Sequence, residues 1–289
     1  MSIQKYIAFL KTIEYGSITE ASKALDYSQS GVSRMINDLE EEWNLSLLER
    51  GRTGVRLTSE GIRILPYIEN VCNEYYRLKE EIDSIHNVQT GLIRIGSVSS
   101  IASNWIPNVI KAFREKYPNI EYELLVGGYG KVEEWINQGR VDCGFLILPI
   151  KSDLETIFLE KDRLLAVVPA NHKLASLEKF PVKALNDEPF MLLESGNIEV
   201  EEIFKKHKIK PKINFKTLDD YVIMSMVECG FGVSILPELI LNRTTYNIKA
   251  MELDKPEYRN IVLALKSVKS ASPTVKRFIE HIKYRHNKK

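Results

Sequence analysis

Apolar residues recur along the first part of the chain at helical spacing. Ile3, Ile7, Leu10 and Ile13, with Phe9, mark a first helix. From Gly16 to Glu42 the run GSITEASKALDYSQSGVSRMINDLEEE predicts two short helices meeting at a tight turn. Ser17 followed by Glu20 is a capping-box start, and Ala21, Ala24 and Leu25 give that helix a small apolar face. Asp26 and Tyr27 interrupt it, and Ser28 is placed to cap the next helix. In that helix Val32, Ile36 and Leu39 recur at spacings of four and three and define a buried stripe.

The other side of this second helix carries the rows Gln29–Ser33–Asn37 and Ser30–Arg34, with no acid between Tyr27 and Asn37. Gln, Ser, Asn and Arg are side chains that hydrogen-bond base edges and phosphates, and an α-helix fits the major groove. A solvated face on an ordinary helix pair is the competing reading. Beyond Glu42, Leu45, Leu47 and Leu48 precede a basic tip at Arg52-Thr53-Gly54, followed by Val55 and Leu57. This predicts a hairpin, or wing, on which Arg50, Arg52 and Arg56 stand with no acid from Gly51 to Ser59. Arginines at such a tip suit a phosphate or a narrow minor groove.

Thr58 can cap a long helix running to about His86, in which Ile64, Ile68, Val71, Tyr75, Leu78, Ile82 and Ile85 step by four and three. A sustained seam of this kind packs one helix against another. At 1.5 Å per residue the helix would be roughly 45 Å long, too long to be covered by its own domain. The seven residues are therefore read as a dimerisation face. Pro66 should kink the helix or loosen its bond back to Ile62.

After a hinge at Val88-Gln89-Thr90-Gly91 the pattern changes to short apolar runs alternating with amphipathic helices. Strands are expected at Leu92–Ile95, Ile120–Val126, Cys143–Leu148, Leu164–Val168, Phe190–Leu193, Ile213–Phe215 and Ile261–Leu265. Helices are expected at Ala102–Lys116, Lys131–Gln138, Val200–Lys206, Asp220–Glu228 and Pro273–Arg285. That alternation argues for an α/β fold with open, mainly parallel sheets.

Composition sets bounds on this picture. A length of 289 residues holds about two domains. The net charge of +1 denies any global polyelectrolyte character, and the first sixty residues hold more acids than bases. Those acids, however, cluster at Asp38–Glu42 and on the first helices, away from the polar helical face. Cys72, Cys143 and Cys229 are far apart and fit reduced thiols rather than a disulfide framework or a metal site. No apolar run approaches membrane-spanning length and the N-terminus does not read as a signal peptide, so the cytoplasm is the expected location, with no membrane partner.

The run Phe9…Gly16-Ser17-Ile18…Ala21…Ala24-Leu25…Ser28-Gln29-Ser30…Val32-Ser33-Arg34…Ile36…Leu39-Glu40…Leu47-Leu48…Arg50…Leu57-Thr58…Gly61 resembles the winged helix-turn-helix of LysR-type transcriptional regulators. Ser30 stands where the family often has Pro, Asn44 where it usually has Gly, and Leu48 where it usually has Phe. The later Gly230–Pro237 stretch is similar, more loosely, to that family's effector domain.

The resemblance implies a winged helix-turn-helix over residues 1–58, a linker helix over 59–88 and a two-lobed, periplasmic-binding-protein-like α/β effector domain over 91–289. Lobe I would take about 91–162 and 266–289, and lobe II about 163–265, with crossovers near Leu146–Pro149 to Arg163 and near Leu263–Ser267. It implies double-stranded operator DNA as partner, contacted by Ser28, Gln29, Ser30, Ser33 and Arg34 and by Arg50, Arg52, Thr53 and Arg56. It implies a homodimer, with a homotetramer as the further assembly, and RNA polymerase as an additional candidate partner.

Open α/β sheets bind ligands at the carboxyl ends of strands. Ser97, Ser99, Ser100 and Ile101 lie there, where hydroxyls and free helix amides could seat an anion, although the serines could simply cap the helix. From the facing lobe Ile147, Thr217, Leu218 and Phe231 fall in effector-contacting regions by the same resemblance, and Glu194 and Ser195 follow a strand into the same crevice. No cofactor or metal is expected.

An enzyme is the first rival reading. GxSxG, HExxH and a complete phosphate loop are all missing, since Gly127-Gly128-Tyr129-Gly130-Lys131 lacks the leading Gly and the hydroxyl after Lys131. A secreted or cytosolic small-molecule binding protein is the second, and the first sixty residues speak against it.

Overall fold

A computed structural model of the chain describes residues 2–51, 54–85, 90–193, 198–242 and 244–286. They fall into two units, Met1–Val88 with Asn137–Arg140, and Gln89–Ile136 with Val141–Lys289.

The first unit opens with helix α1 (Ile3–Tyr15), closed by Gly16 in the left-handed conformation at φ 61°. Helix α2 (Ile18–Ala24) starts at Ser17, whose Oγ accepts from the Glu20 amide at 3.4 Å. Helix α3 (Gln29–Trp43) starts at Ser28, whose Oγ accepts from the Gly31 amide at 3.0 Å. The stripe read from the sequence is the buried one: Val32, Ile36 and Leu39 join Phe9 and Leu47 in one core. Asn44 ends α3 at φ 51°, and asparagine is among the few residues besides glycine that tolerate this region.

Strands β1 (Leu48–Gly51) and β2 (Gly54–Leu57) form the expected antiparallel wing. Two anchors fix it. The Glu40 carboxylate on α3 accepts from the Leu47 and Leu48 amides at 2.6 and 3.0 Å. The Val55 amide donates to the Gly16 carbonyl at 2.9 Å. A Cβ at position 54 would stand 2.6 Å from that same carbonyl oxygen, and Gly54 adopts φ 113°, so glycine is required there twice over.

Helix α4 (Ser59–Ile85) follows, with Thr58 accepting from the Gly61 amide at 2.9 Å and donating to the Ser46 carbonyl at 2.6 Å. Pro66 lies inside this helix without ending it. The seam residues are covered unequally along the length of the helix. Ile68 is buried in the first unit's own core and Ile64 packs against it, whereas Val71, Leu78 and Ile82 are exposed together with Tyr67. Tyr75 is half-buried, and the Ile85 side chain lies outside the described set.

In the second unit β3 (Gly91–Ser97) is flanked by the parallel strands β4 (Ile120–Val126) and β5 (Cys143–Leu148). Between them run α5 (Ser99–Asn104), α6 (Ile106–Lys116) and α7 (Tyr129–Gln138). The single helix expected over Ala102–Lys116 is thus two, because Pro107 at the start of α6 begins a new helix instead of continuing the old one.

Strand β6 (Glu155–Pro169) leads to β7 (Pro189–Leu193), α8 (Ile198–His207), β8 (Lys212–Thr217) and α9 (Asp220–Glu228). Strand β9 (Ser234–Pro237), α10 (Glu238–Leu241), β10 (Ile248–Leu265) and α11 (Pro273–His286) complete the chain. The large sheet has the order β4-β3-β5-β10-β6-β9, and β7 pairs in parallel with β8. Because β10 is antiparallel to both β5 and β6, and β6 to β9, the sheet is mixed rather than mainly parallel.

Strands β6 and β10 are shared by two lobes. One core gathers Ile95, Phe113, Phe145 and Phe278 with Leu159 of β6 and Ile261 and Leu263 of β10. The other gathers Phe180 and Phe190 with Leu164 and Ala166 of β6 and Met251 and Leu253 of β10. The return crossing therefore lies between Leu253 and Ile261, earlier than the Leu263–Ser267 expected, and lobe II ends before Ile261 rather than at 265. The sequence DKPEYR hides this strand, since proline and clustered charge read as a loop. The register shift between Glu252 and Glu257 brackets Pro256 and absorbs it.

Candidate nucleic-acid interface and interlobe cleft

The start of α3 is an exposed polar surface. Gln29, Ser30 and Arg34 are exposed and Ser33 is half-buried. The Ser28 hydroxyl is engaged as the cap, 3.1 Å from the Ser30 hydroxyl. Val32 and Ile36 bury the opposite side, so packing fixes the rotation of the helix and leaves the polar rows outward.

Arg50 is differently placed from the other basic residues of this region. Its guanidinium donates to the Ser33 Oγ at 3.0 Å and to the Asn37 Oδ1, and lies 3.8 Å from the Glu40 carboxylate. It ties the wing to the helix. Arg56 is exposed on β2 opposite Glu49. Arg52 and Thr53, expected at the wing tip, lie outside the described residues.

In the second unit a cavity of about 270 Å³ lies between the lobes, near the lower end of ligand-pocket sizes. Val98, Ser99 and Ser100 line it from the end of β3 and the start of α5, and Gly127, Gly128 and Tyr129 from the turn into α7. Leu164, Leu193, Ile235 and Leu236 give it apolar walls from lobe II, and Leu218 and Asp220 stand at the head of α9.

At its floor is a buried polar network. Arg259 on β10, 4% exposed, donates through Nε to the Asp162 Oδ2 at 2.8 Å and through Nη2 to the Ser100 Oγ at 3.0 Å. The other Asp162 oxygen accepts from the Leu239 amide at 3.1 Å. The Tyr129 hydroxyl donates to the Glu199 Oε1 at 2.6 Å. Burial pushes the Tyr129 hydroxyl far above the ordinary tyrosine range, against the pull of Arg259, so it stays protonated and serves as a donor. Burial also raises Glu199, with the Tyr129 hydrogen bond and Arg259 pulling it back.

The match to known proteins is two-part. Residues 3–62 match the bacterial regulatory helix-turn-helix protein, lysR family, and residues 86–286 match the LysR substrate binding domain. The chain belongs to the LysR family of transcriptional regulators.

The transcriptional regulator YvbU of Bacillus subtilis (strain 168) is 31% identical, covering 98% of each chain. The transcriptional dual regulator GltC of the same organism is 29% identical over 98% of this chain and 96% of its own length. The crystal structure of full-length CbnR complexed with its target DNA shares the fold at a TM-score of 0.74, with 20% identity over 98% of this chain and 99% of that one. This LysR protein is a DNA-binding transcriptional regulator with an effector-binding domain, not an enzyme.

Within the LysR effector domain the structure brings together only part of the expected set. Ser99, Ser100 and Leu218 line the cleft. Ser97 is wholly buried beneath it, its hydroxyl turned to the Val98 carbonyl at 3.2 Å. Ile101 and Ile147 belong to the lobe I core instead, because aliphatic residues on a buried strand and a short helix serve packing before anything else. Thr217 turns its hydroxyl to the Asp219 amide at 3.3 Å. Phe231 is 62% exposed and is not among the residues that line the cavity. Glu194 and Ser195 lie outside the described residues.

Sequence reasoning missed Tyr129, Asp162, Glu199, Asp220 and Arg259. Two signals pointed their way. The Gly127-Gly128-Tyr129 turn, set aside as a failed phosphate loop, forms the cavity wall. Arg259 is the last charge before the apolar run IVLAL, where an unpaired charge would be costly.

Proposed function

We propose that this LysR regulator binds a two-fold operator as a homodimer, with a homotetramer as the further assembly, and that a small molecule in the interlobe cleft sets its activity. The observation that carries the reading is the exposed polar surface at the N-terminal end of α3, without an acid from Gln29 to Asn37 and with Gln29, Ser30 and Arg34 outward. Those residues read base edges and Arg56 takes a backbone phosphate, with Arg52 and Thr53 assigned to the same task at the wing tip. Ser28 and Ser33 stand beside them, but Ser28 caps the helix and Ser33 accepts from Arg50, so Arg50 orients the wing rather than meeting DNA.

The exposed stripe Tyr67, Val71, Leu78 and Ile82 supports a second copy on α4, whereas Ile64 and Ile68 support the first unit itself. A LysR dimer of this kind matches two half-sites. An effector shifts the balance of arrangements by no more than its differential affinity for them. The cytoplasm, where DNA and RNA polymerase are met, is the corresponding location.

Selection of genomic fragments by the purified protein tests the reading. Enrichment of fragments sharing one interrupted palindrome is expected, and recovery of random fragments alone would contradict it. Leu78→Glu places a charge in the stripe and should abolish both dimer and palindrome selection, as read by sedimentation. An intact dimer would remove Leu78, 58% exposed, from the seam.

A further inference from the structure

The cleft floor is unbalanced in charge and in hydrogen bonds. Among the described lining residues Arg259 is the one cation, and its Nε and Nη2 are already turned to Asp162 and Ser100. Asp162 alone matches it. Two further carboxylates remain, Glu199 on α8 and Asp220 on α9, at 8% and 7% exposure. Glu199 Oε2 and Asp220 Oδ1 are both buried without a hydrogen-bond partner. The α9 cap does not help Asp220, because the Tyr221 and Val222 amides are taken by the Asp219 side chain at 2.7 and 3.2 Å. Native proteins rarely leave such acceptors unmet, and each costs free energy until a donor arrives.

Resting on the effector reading above, we propose that the cleft takes a small organic ligand through a primary ammonium group. This ammonium donates to Glu199 Oε2 and Asp220 Oδ1. Three observations select that chemistry. An ammonium offers three donors and a positive charge, which supplies both things the site lacks. A bare metal ion fits less well, since no group of three or more metal-ligating side chains exists among the described residues. The cavity of about 270 Å³ and its walls at Leu164, Leu193 and Ile235 also have room for a carbon body that an ion would leave empty.

Burial pushes the Asp220 carboxyl up to about 6, Arg259 pulling it back and Asp219 and Glu199 pushing it further. This group is therefore partly protonated near neutrality, and a cation beside it would draw it into the charged form. A ligand presenting only a carboxylate would face Glu199 and Asp220 with its own charge and find Nε and Nη2 of Arg259 already engaged.

The test is calorimetric titration of the full chain with butylamine, butanol and butyrate at about pH 7, probes of one size and three charges. Butylamine is expected to bind in the millimolar range, reasonable for so small a probe, and about tenfold or more tighter than the other two. Asp220→Asn and Glu199→Gln, each confirmed folded by a cooperative melt, should each weaken butylamine about tenfold while leaving butanol unchanged. Tighter binding of butyrate or butanol would overturn the ammonium assignment and leave the cleft as an effector site. Butylamine binding that neither substitution alters would place the amine elsewhere and overturn the assignment. Absence of heat from all three up to about 100 mM would overturn both the assignment and the effector reading.

Discussion

The face of α3 proposed to read DNA and the floor of the interlobe cleft are built on opposite plans. On α3 the polar residues sit within one helix, outward, with a continuous apolar stripe behind them at Val32, Ile36 and Leu39. In the cleft the polar residues come from β6, α5, α7, α8, α9 and β10, and every one of Asp162, Ser100, Glu199, Asp220 and Arg259 is buried. The first surface is hydrated when idle, so its side chains incur little cost while they wait for DNA. The second is desolvated when idle, and its unmet acceptors bear on stability. Local periodicity thus makes a recognition surface, whereas a buried polar site needs a whole lobe pair to assemble it, and its energetics are correspondingly larger.

The largest expected effect lies in the cleft. Arg259→Ala would leave Asp162 buried without its partner, and removing one member of a buried ion pair costs about 3–5 kcal/mol. Chemical denaturation followed by circular dichroism should show the effector-domain transition shifted by that order. A shift below about 1 kcal/mol would make this network no more costly to disturb than a surface and erase the contrast.

Asp220→Asn sharpens the contrast with the opposite sign. The folded carboxyl is raised from its ordinary value to about 6, so its favourable contribution is present below the unfolded pKa and is lost as pH rises through about 6. The cost of burying the charge then reaches the order of 3 kcal/mol at higher pH, by the free energy per pKa unit. The variant should be more stable than the parent at about pH 8 and indistinguishable near pH 4 in thermal melts of the effector domain. A variant less stable than the parent at about pH 8 would mean that Asp220 has a partner in the folded state.

Arg50→Ala probes the one place where the reading face resembles the cleft, a side chain with several fixed partners. Because the guanidinium is partly exposed, a stability loss of only about 1 kcal/mol is expected, together with similar weakening on all DNA sequences as the wing loosens. Loss confined to one base position would instead make Arg50 a base-reading residue.

What could be read from the chain follows the same division. The helices α1 to α3, the wing and the caps at Ser17, Ser28 and Thr58 were visible because each depends on neighbours a few positions away. Arg259 and Asp162 are 97 positions apart, and Arg259 and Ser100 are 159 apart, and no periodic pattern links them. The heptad-like run in α4 was legible as apolar but silent on what covers it. One stripe runs the length of the helix, and only packing reveals that its first part, at Ile64 and Ile68, joins the core of Phe9 and Leu39 while Val71, Leu78 and Ile82 further along stay exposed. Aliphatic residues near the cleft misled for the same reason, since Ile101 and Ile147 look the same in a core as in a pocket.

Whether α3 reads sequence through its N-terminal polar face, as proposed, is decided by Gln29→Ala. Fluorescence anisotropy on the selected operator and on random DNA at one salt concentration should show a loss of about 1–3 kcal/mol on the operator alone, with relaxed preference at one base position. Equal losses on operator and random DNA would contradict direct readout by Gln29.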